Sequence, residues 1–137
     1  MKNDPAYSGI KKRRYDIAHP EIEEISVELR RLDELIPTEI KIDFIKIDVE
    51  GAEFGVLKGA EKLLLKDKPI IVFECGLGAS DYYGTDPGEL FDYLTAKIGL
   101  SINTLKGYVK KKTPLKRTEF LTCYQENKEY YYIAYLA

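Results

Sequence analysis

The sequence is short of the residues that build metal clusters and disulfide frameworks. It holds two cysteines, one histidine and no tryptophan in 137 residues. Cys75 and Cys123 stand far apart without metal-ligand spacing, which excludes a cysteine-based zinc cluster and a disulfide scaffold. Cysteine used this sparingly points to a reducing, cytoplasmic compartment. The single histidine, His19, precedes Pro20, and a residue before proline is pushed toward extended backbone. His19 therefore reads as a loop residue, with a catalytic base as the alternative. An excess of one charge is also missing. The 21 basic and 23 acidic residues leave a net charge of -2, which gives no general pull toward nucleic acid or a membrane surface. No apolar run approaches the length of a membrane span, no leader-like segment stands at the start, and no internal repeat is found. The length suits one domain with a modest core.

What is present is concentrated in Asp43-Phe-Ile-Lys-Ile-Asp-Val-Glu-Gly-Ala-Glu-Phe-Gly-Val-Leu-Lys-Gly59. Residues 42–49 are strand formers, and their near-continuous apolar run predicts a strand buried on both faces. The run ends in Asp48, Glu50 and Gly51. Beyond Gly51 the period changes: Val56, Leu57, Ala60, Leu63 and Leu64 recur on one face of a helix reaching about residue 66. Carboxylates thus sit where a strand turns into a helix, and the carboxyl ends of strands are where open α/β sheets bind ligands. Gly55 and Gly59 weaken a helix; close approach of its backbone to the sheet is the expected return.

Other elements flank this unit. Lys11–Arg14 reads as a solvated basic loop. Ile25, Val27 and Leu29 alternate with polar residues, predicting a half-buried strand over 25–32. Residues 32–36 form a helical turn stopped by Pro37. Pro69–Cys75 is a second apolar strand ending in an acid, Glu74. Asp86 with Pro87 and Glu89 starts a helix as N-cap, first residue and capping-box partner, and Gly99 stops it. Strands follow at 100–105 and 130–136, with no helix expected between them, so they pair antiparallel on a largely parallel sheet. The basic stretch 106–117 reads as a solvated loop, against a nucleic-acid surface using Tyr108 as the competing reading.

Asp43 to Glu53, Val56-Leu-Lys-Gly59, the preceding Leu32-Asp-Glu-Leu35 and the later Pro69-Ile-Ile-Val-Phe-Glu74 together resemble the FkbM-type methyltransferase family. The resemblance implies an α/β, Rossmann-like class I methyltransferase sheet, mostly parallel with an antiparallel last strand. It implies S-adenosylmethionine as cofactor and hydroxyl groups of small molecules or sugars as acceptors. Residues 42–49 would be the family's fourth strand and 69–75 its fifth. The family's first half, with its Gly-x-Gly turn and ribose-binding acid, has no counterpart in the sequence. The expected division is therefore an irregular segment, 1–24, and a C-terminal half-domain, 25–137, as a fragment or truncated form. This chain alone is expected to bind the cofactor weakly or not at all. A non-catalytic remnant or association module is the alternative.

On these grounds Asp48, Glu50 and His19 are the candidate catalytic residues, with Asp48 and Glu50 also facing the cofactor. A carboxylate at a strand tip can orient an acceptor hydroxyl and take its proton. Glu50 is equally explained as an acid favouring a helix N-terminus, and Glu53 is better explained so. Asp48 with Glu74 alone makes too small a ligand set, so no metal is expected. Lys46 is expected to pair with one of the acids or to reach an edge. The expected partners are a small-molecule acceptor, no nucleic acid, no membrane, and a second copy joined through an unpaired edge of the 42–49 strand.

Overall fold

A computed structural model describes residues 9–11 and 21–137. Its elements are α1 (Leu32–Leu35), β1 (Phe44–Ile47), α2 (Glu53–Gly59), α3 (Glu61–Asp67), β2 (Ile70–Glu74), α4 (Pro87–Asp92), β3 (Ser101–Thr104), α5 (Leu105–Val109), α6 (Arg117–Gln125) and β4 (Tyr131–Tyr135). A 3-10 turn, Ser80–Tyr83, lies between β2 and α4, and a π-helical segment, Tyr93–Lys97, extends α4.

The four strands form one mixed sheet in the order β1-β2-β4-β3. β1 and β2 are parallel, with Ile47 beside Phe73. β4 enters between β2 and β3 and runs antiparallel to both. The expected antiparallel pairing of the last two strands is therefore present. Register places Ile47, Ile71, Phe73, Tyr132, Ala134 and Ile102 on one face, and all six are buried. They join Leu57, Leu64, Leu90, Leu94 and Phe120 from the helices in a single core.

Short-range chemistry explains where the helices break. The long helix expected after β1 is interrupted at Ala60, which leaves helical geometry at φ -116° and ψ 16°. The chain restarts as α3 because Asp33 of α1 caps it: the Asp33 carboxylate accepts from the Lys62 and Leu63 amides at 3.1 and 3.0 Å. That satisfies two of the donors that any helix leaves open at its start. At the other end of α3, Asp67 accepts from the Ile42 amide at 2.9 Å and so anchors the approach to β1. Asp86 accepts from the Glu89 amide at 2.8 Å, as expected of the α4 cap. Gly99, at φ 82°, ends the segment after α4.

Four expectations are corrected. Residues 25–32 make no strand; Ile25, Val27 and Leu29 are all exposed, and Arg31 instead packs against Gly59 and donates to the Lys58 carbonyl at 3.3 Å. Alternation prepares a strand but needs an edge to pair with, and the segment is drawn to the α2–α3 junction. β1 is not buried on both faces: it is the sheet margin, with Phe44 58% exposed and Lys46 exposed. Gly55 and Gly59 do not bring α2 onto the sheet; a Cβ on Gly55 would meet nothing within 4 Å, and one on Gly59 would meet Arg31. Finally, 106–117 is not simply a loop. α5 follows β3 directly, and Thr104 accepts from the Gly107 amide at 2.8 Å as its cap. The buried Asn103 amide then donates to the Lys112 and Thr113 carbonyls and ties the remaining basic loop to the sheet. α6 was not anticipated, although Phe120 and Tyr124, one helical turn apart, are both buried.

Candidate functional site

Because β1 and β2 are parallel and in register, both carboxyl ends open on the same side, one residue beyond Ile47 and Phe73. Side chains alternate along a strand, so Asp48 and Glu74 share the face opposite the core, with Lys46, Val72 and Tyr131. Lys46 forms an ion pair with Asp48, and its ammonium is held above the usual lysine range first by that bond. Tyr131, beside Glu74 on β4, shares a hydrogen bond with it. Glu74 is half-buried. Burial pushes its carboxyl above the usual glutamate range, and the charges of Asp48, Glu53 and Glu50 add to this, against the Tyr131 hydrogen bond.

The turn after β1 gathers these acids. Glu50 adopts φ 57° and Gly51 φ 105°, so the simple alternation expected of Asp48 and Glu50 ends at Val49. Only glycine fits at 51: a Cβ there would lie 2.5 Å from the Ala79 carbonyl oxygen. The β1–α2 turn thus lies directly against the loop following β2. Glu53, at the first position of α2, is 1% exposed. Its Oε1 accepts from the Val49 and Gly51 amides at 3.2 and 3.1 Å, and its Oε2 is buried without a hydrogen bond.

The loop after β2 is equally constrained. The Gly76 amide donates to Ser80 Oγ at 3.3 Å, and the Gly78 amide to Asp81 at 2.7 Å. Its 3-10 turn separates Gly76 and Gly78 from α4, so this is a loop, as expected, and not a glycine turn opening a helix. Cys75 is buried, and burial pushes its thiol up to about 12, which leaves it no nucleophile at neutral pH. Tyr83 reaches outward: its hydroxyl accepts from the Lys11 amide at 2.8 Å. Between α2 and the loop leading into α4, a cleft of about 180 Å³ is lined by Gly51, Phe54, Lys58, Tyr83, Thr85 and Glu89, among others.

The structure thus brings together Asp48, Glu50 and Glu74, and gives Lys46 the acidic partner expected of it. Asp48 is exposed and paired rather than buried; as a margin strand, β1 leaves its end open to water. His19 and residues 12–14 lie outside the described residues. Tyr131 is the addition that sequence reasoning missed, since only the antiparallel insertion of β4 puts it beside Glu74. Glu53 was read as an acid near a helix N-terminus; its two backbone acceptances make it a brace for the turn. Among the described residues no cluster of three or more His, Cys, Asp or Glu could hold a metal ion, and no helix is long and apolar enough to cross a membrane.

The acidic turn thus lies at the joined carboxyl ends of two parallel strands, the end of an open α/β sheet at which ligands are generally bound. The family model described as the Methyltransferase FkbM domain matches residues 6–109, and the chain belongs to that family. Domains of this family generally use S-adenosylmethionine. No curated protein and no solved structure matches the chain.

Proposed function

We propose that the chain serves S-adenosylmethionine-dependent methyl transfer to a hydroxyl of a small molecule or sugar, with the acceptor held over the open ends of β1 and β2. The observation that carries this reading is Glu74: a half-buried carboxyl with raised proton affinity, set among Asp48, Glu50 and Glu53 beside the Tyr131 hydroxyl. A general base works best with its pKa moved toward the operating pH, and Glu74 is moved in that direction. Glu74 takes the acceptor proton; Asp48, paired with Lys46, orients the acceptor; Tyr131 donates to whichever carboxylate form is present.

The cofactor, when bound, supplies a methyl group on a sulfonium cation. Asp48 and Glu74 stand side by side at the strand ends, with Glu50 close enough to act on Glu74, and carboxylates so placed attract a cation. Asp48 and Glu50 are the residues assigned to face it. Among the described residues no strand runs into a two-glycine turn that opens a helix directly, so none is assigned to the nucleoside. The Rossmann-like arrangement stays part of this proposal, as does a reducing, cytoplasmic setting, which rests on the unpaired thiols of Cys75 and Cys123.

The test is transfer of labelled methyl from S-adenosylmethionine to a panel of sugars and small alcohols. In a protein that carries the full family fold, Asp48→Asn and Glu74→Gln are each expected to lower transfer by roughly 10²-fold. Full turnover by Asp48→Asn with a lower melting temperature assigns Asp48 to structure instead. Melting with added cofactor measures affinity separately. Tight binding would add about 2.7 kcal/mol at a hundredfold excess over Kd, whereas little or no rise is expected.

A second reading, an association module, is favoured by the outer edge of β1, which no strand pairs among the described residues. Unpaired edges are templates for pairing, and two copies joined edge to edge would make one continuous sheet. Light scattering over rising concentration is expected to show a dimer; a monomer at every concentration overturns it.

A further inference from the structure

We propose that Glu53 is the positioning residue of this site: its buried carboxylate sets the backbone that carries Asp48 and Glu50, and stands as a fixed negative charge behind Glu74. The placement carries the proposal. Glu53 Oε1 takes both the Val49 and the Gly51 amides, 3.2 and 3.1 Å away, and these two residues bracket Glu50. Glu50 holds positive φ, a backbone that persists in a non-glycine residue only when its surroundings impose it. One side of that imposition is steric, through Gly51 against Ala79. The other is the pair of hydrogen bonds to Glu53. A carboxylate accepting backbone N–H groups makes the stronger, charge-assisted kind of bond.

The second oxygen gives the role a further part. Oε2 is buried and has no donor, although a buried charge without compensation is costly. A residue needed only to brace the turn would do so as glutamine, whose carbonyl oxygen accepts the same two N–H groups. The carboxylate adds its field, besides strengthening the same two bonds. That field falls on Glu74, which is also faced by Lys46 and Asp48 of β1, Glu50 of the turn and Tyr131 of β4. Of these, Asp48 is paired with Lys46 and both are exposed, whereas Glu53 is buried behind the turn. Glu53 therefore touches no reacting atom and acts through Asp48, Glu50 and Glu74. The inference deepens the methyl-transfer reading and rests on it for its functional meaning, but its test needs no substrate.

The experiment follows Glu74 by carboxyl ¹³C NMR titration and the Val49 and Gly51 amides by hydrogen exchange, in the whole chain. Glu53→Gln is expected to keep both amides protected while the Glu74 midpoint falls toward the ordinary glutamate range. Glu53→Asp retains the charge on a shorter stem. It is expected to leave the Glu74 midpoint raised while exchange at both amides speeds up about tenfold or more. An unmoved Glu74 midpoint in Glu53→Gln overturns the electrostatic part. Wild-type protection of both amides in Glu53→Asp overturns the positioning part, and that variant decides the matter if Glu53→Gln fails to fold. Absence of methyl transfer with both expected results would count against the functional reading alone.

Discussion

The two faces of the sheet are built from the same strands and have opposite characters. On one, Ile47, Ile71, Phe73, Ile102, Tyr132 and Ala134 are closed under the helices. On the other, α5 covers only the β3–β4 side, where Tyr108 packs edge-on to Tyr135 at 4.7 Å. The β1–β2 side stays open, with Phe44 and Tyr131 more than half exposed and Lys46, Asp48 and Glu74 grouped at its carboxyl end. The closed face holds the fold together by burial, which is non-directional and scales with area. The open face keeps charged groups in partial contact with water, where they can titrate and meet a ligand. Burial and charge are thus divided by the alternation of a single backbone.

Substitutions sharpen or break this division. The largest effect is expected from Phe73→Ala on the closed face. Removing a fully buried ring costs about 3–5 kcal/mol, read from denaturant unfolding; a loss as small as that at an exposed site would erase the contrast. Gly51→Ala comes next. It combines a Cβ 2.5 Å from the Ala79 oxygen with φ 105°, and strain of that kind costs on the order of 1–3 kcal/mol. The same melting experiment should show it, although the residue lies in a turn.

A pH series tests the open face without substrate. The Glu74 carboxyl is raised in the folded state, mainly by burial. The folded protein then binds its proton more tightly than the unfolded chain. Stability from this group is fully present below the unfolded pKa and is lost as pH rises through the folded pKa. Glu74→Gln should therefore melt like the wild type in acid and increasingly above it toward neutral pH. A difference that grows toward acid would reverse the assignment. The smallest effects belong to Phe44→Ala and Lys46→Ala. An exposed apolar side chain on an open margin should matter by no more than about 0.5 kcal/mol. Breaking the exposed pair of Lys46 with Asp48 should cost about 0–1 kcal/mol. If Phe44→Ala instead destabilised the chain strongly in a concentration-dependent way, something would be covering the open side, and a second copy would be the first candidate.

Much of this division was legible beforehand. The positions of β1, β2, β3 and β4, the Asp86 cap, the Gly99 stop and the acidic turn follow from local rules of period, capping and turn chemistry. Three of the misreadings share one cause, whereas α5 and α6 were missed despite local signals, the Thr104 cap and the spacing of Phe120 and Tyr124. Ile25, Val27 and Leu29 alternate as a strand should, yet pairing depends on an available edge. Asp48 ends an apolar run, yet its exposure depends on β1 being the sheet margin. Gly55 and Gly59 read as a helix pressed on the sheet, yet the neighbour of Gly59 is Arg31. Period and composition describe one element at a time, whereas burial depends on what lies next to it.

By itself, the sequence determined that an apolar strand must pass through Asp48, Glu50 and Gly51 into a helix, because side-chain period and glycine's backbone freedom are properties of the chain alone. Tertiary structure alone decided which of those acids would matter together. Parallel pairing of β1 with β2 set Asp48 beside Glu74, and the insertion of β4 brought Tyr131 to the same carboxylate. Folding of α2 turned Glu53 back onto the Val49 and Gly51 amides. Proton affinity and hydrogen bonding depend on distances of a few ångströms between groups remote in the chain, and only packing sets those distances.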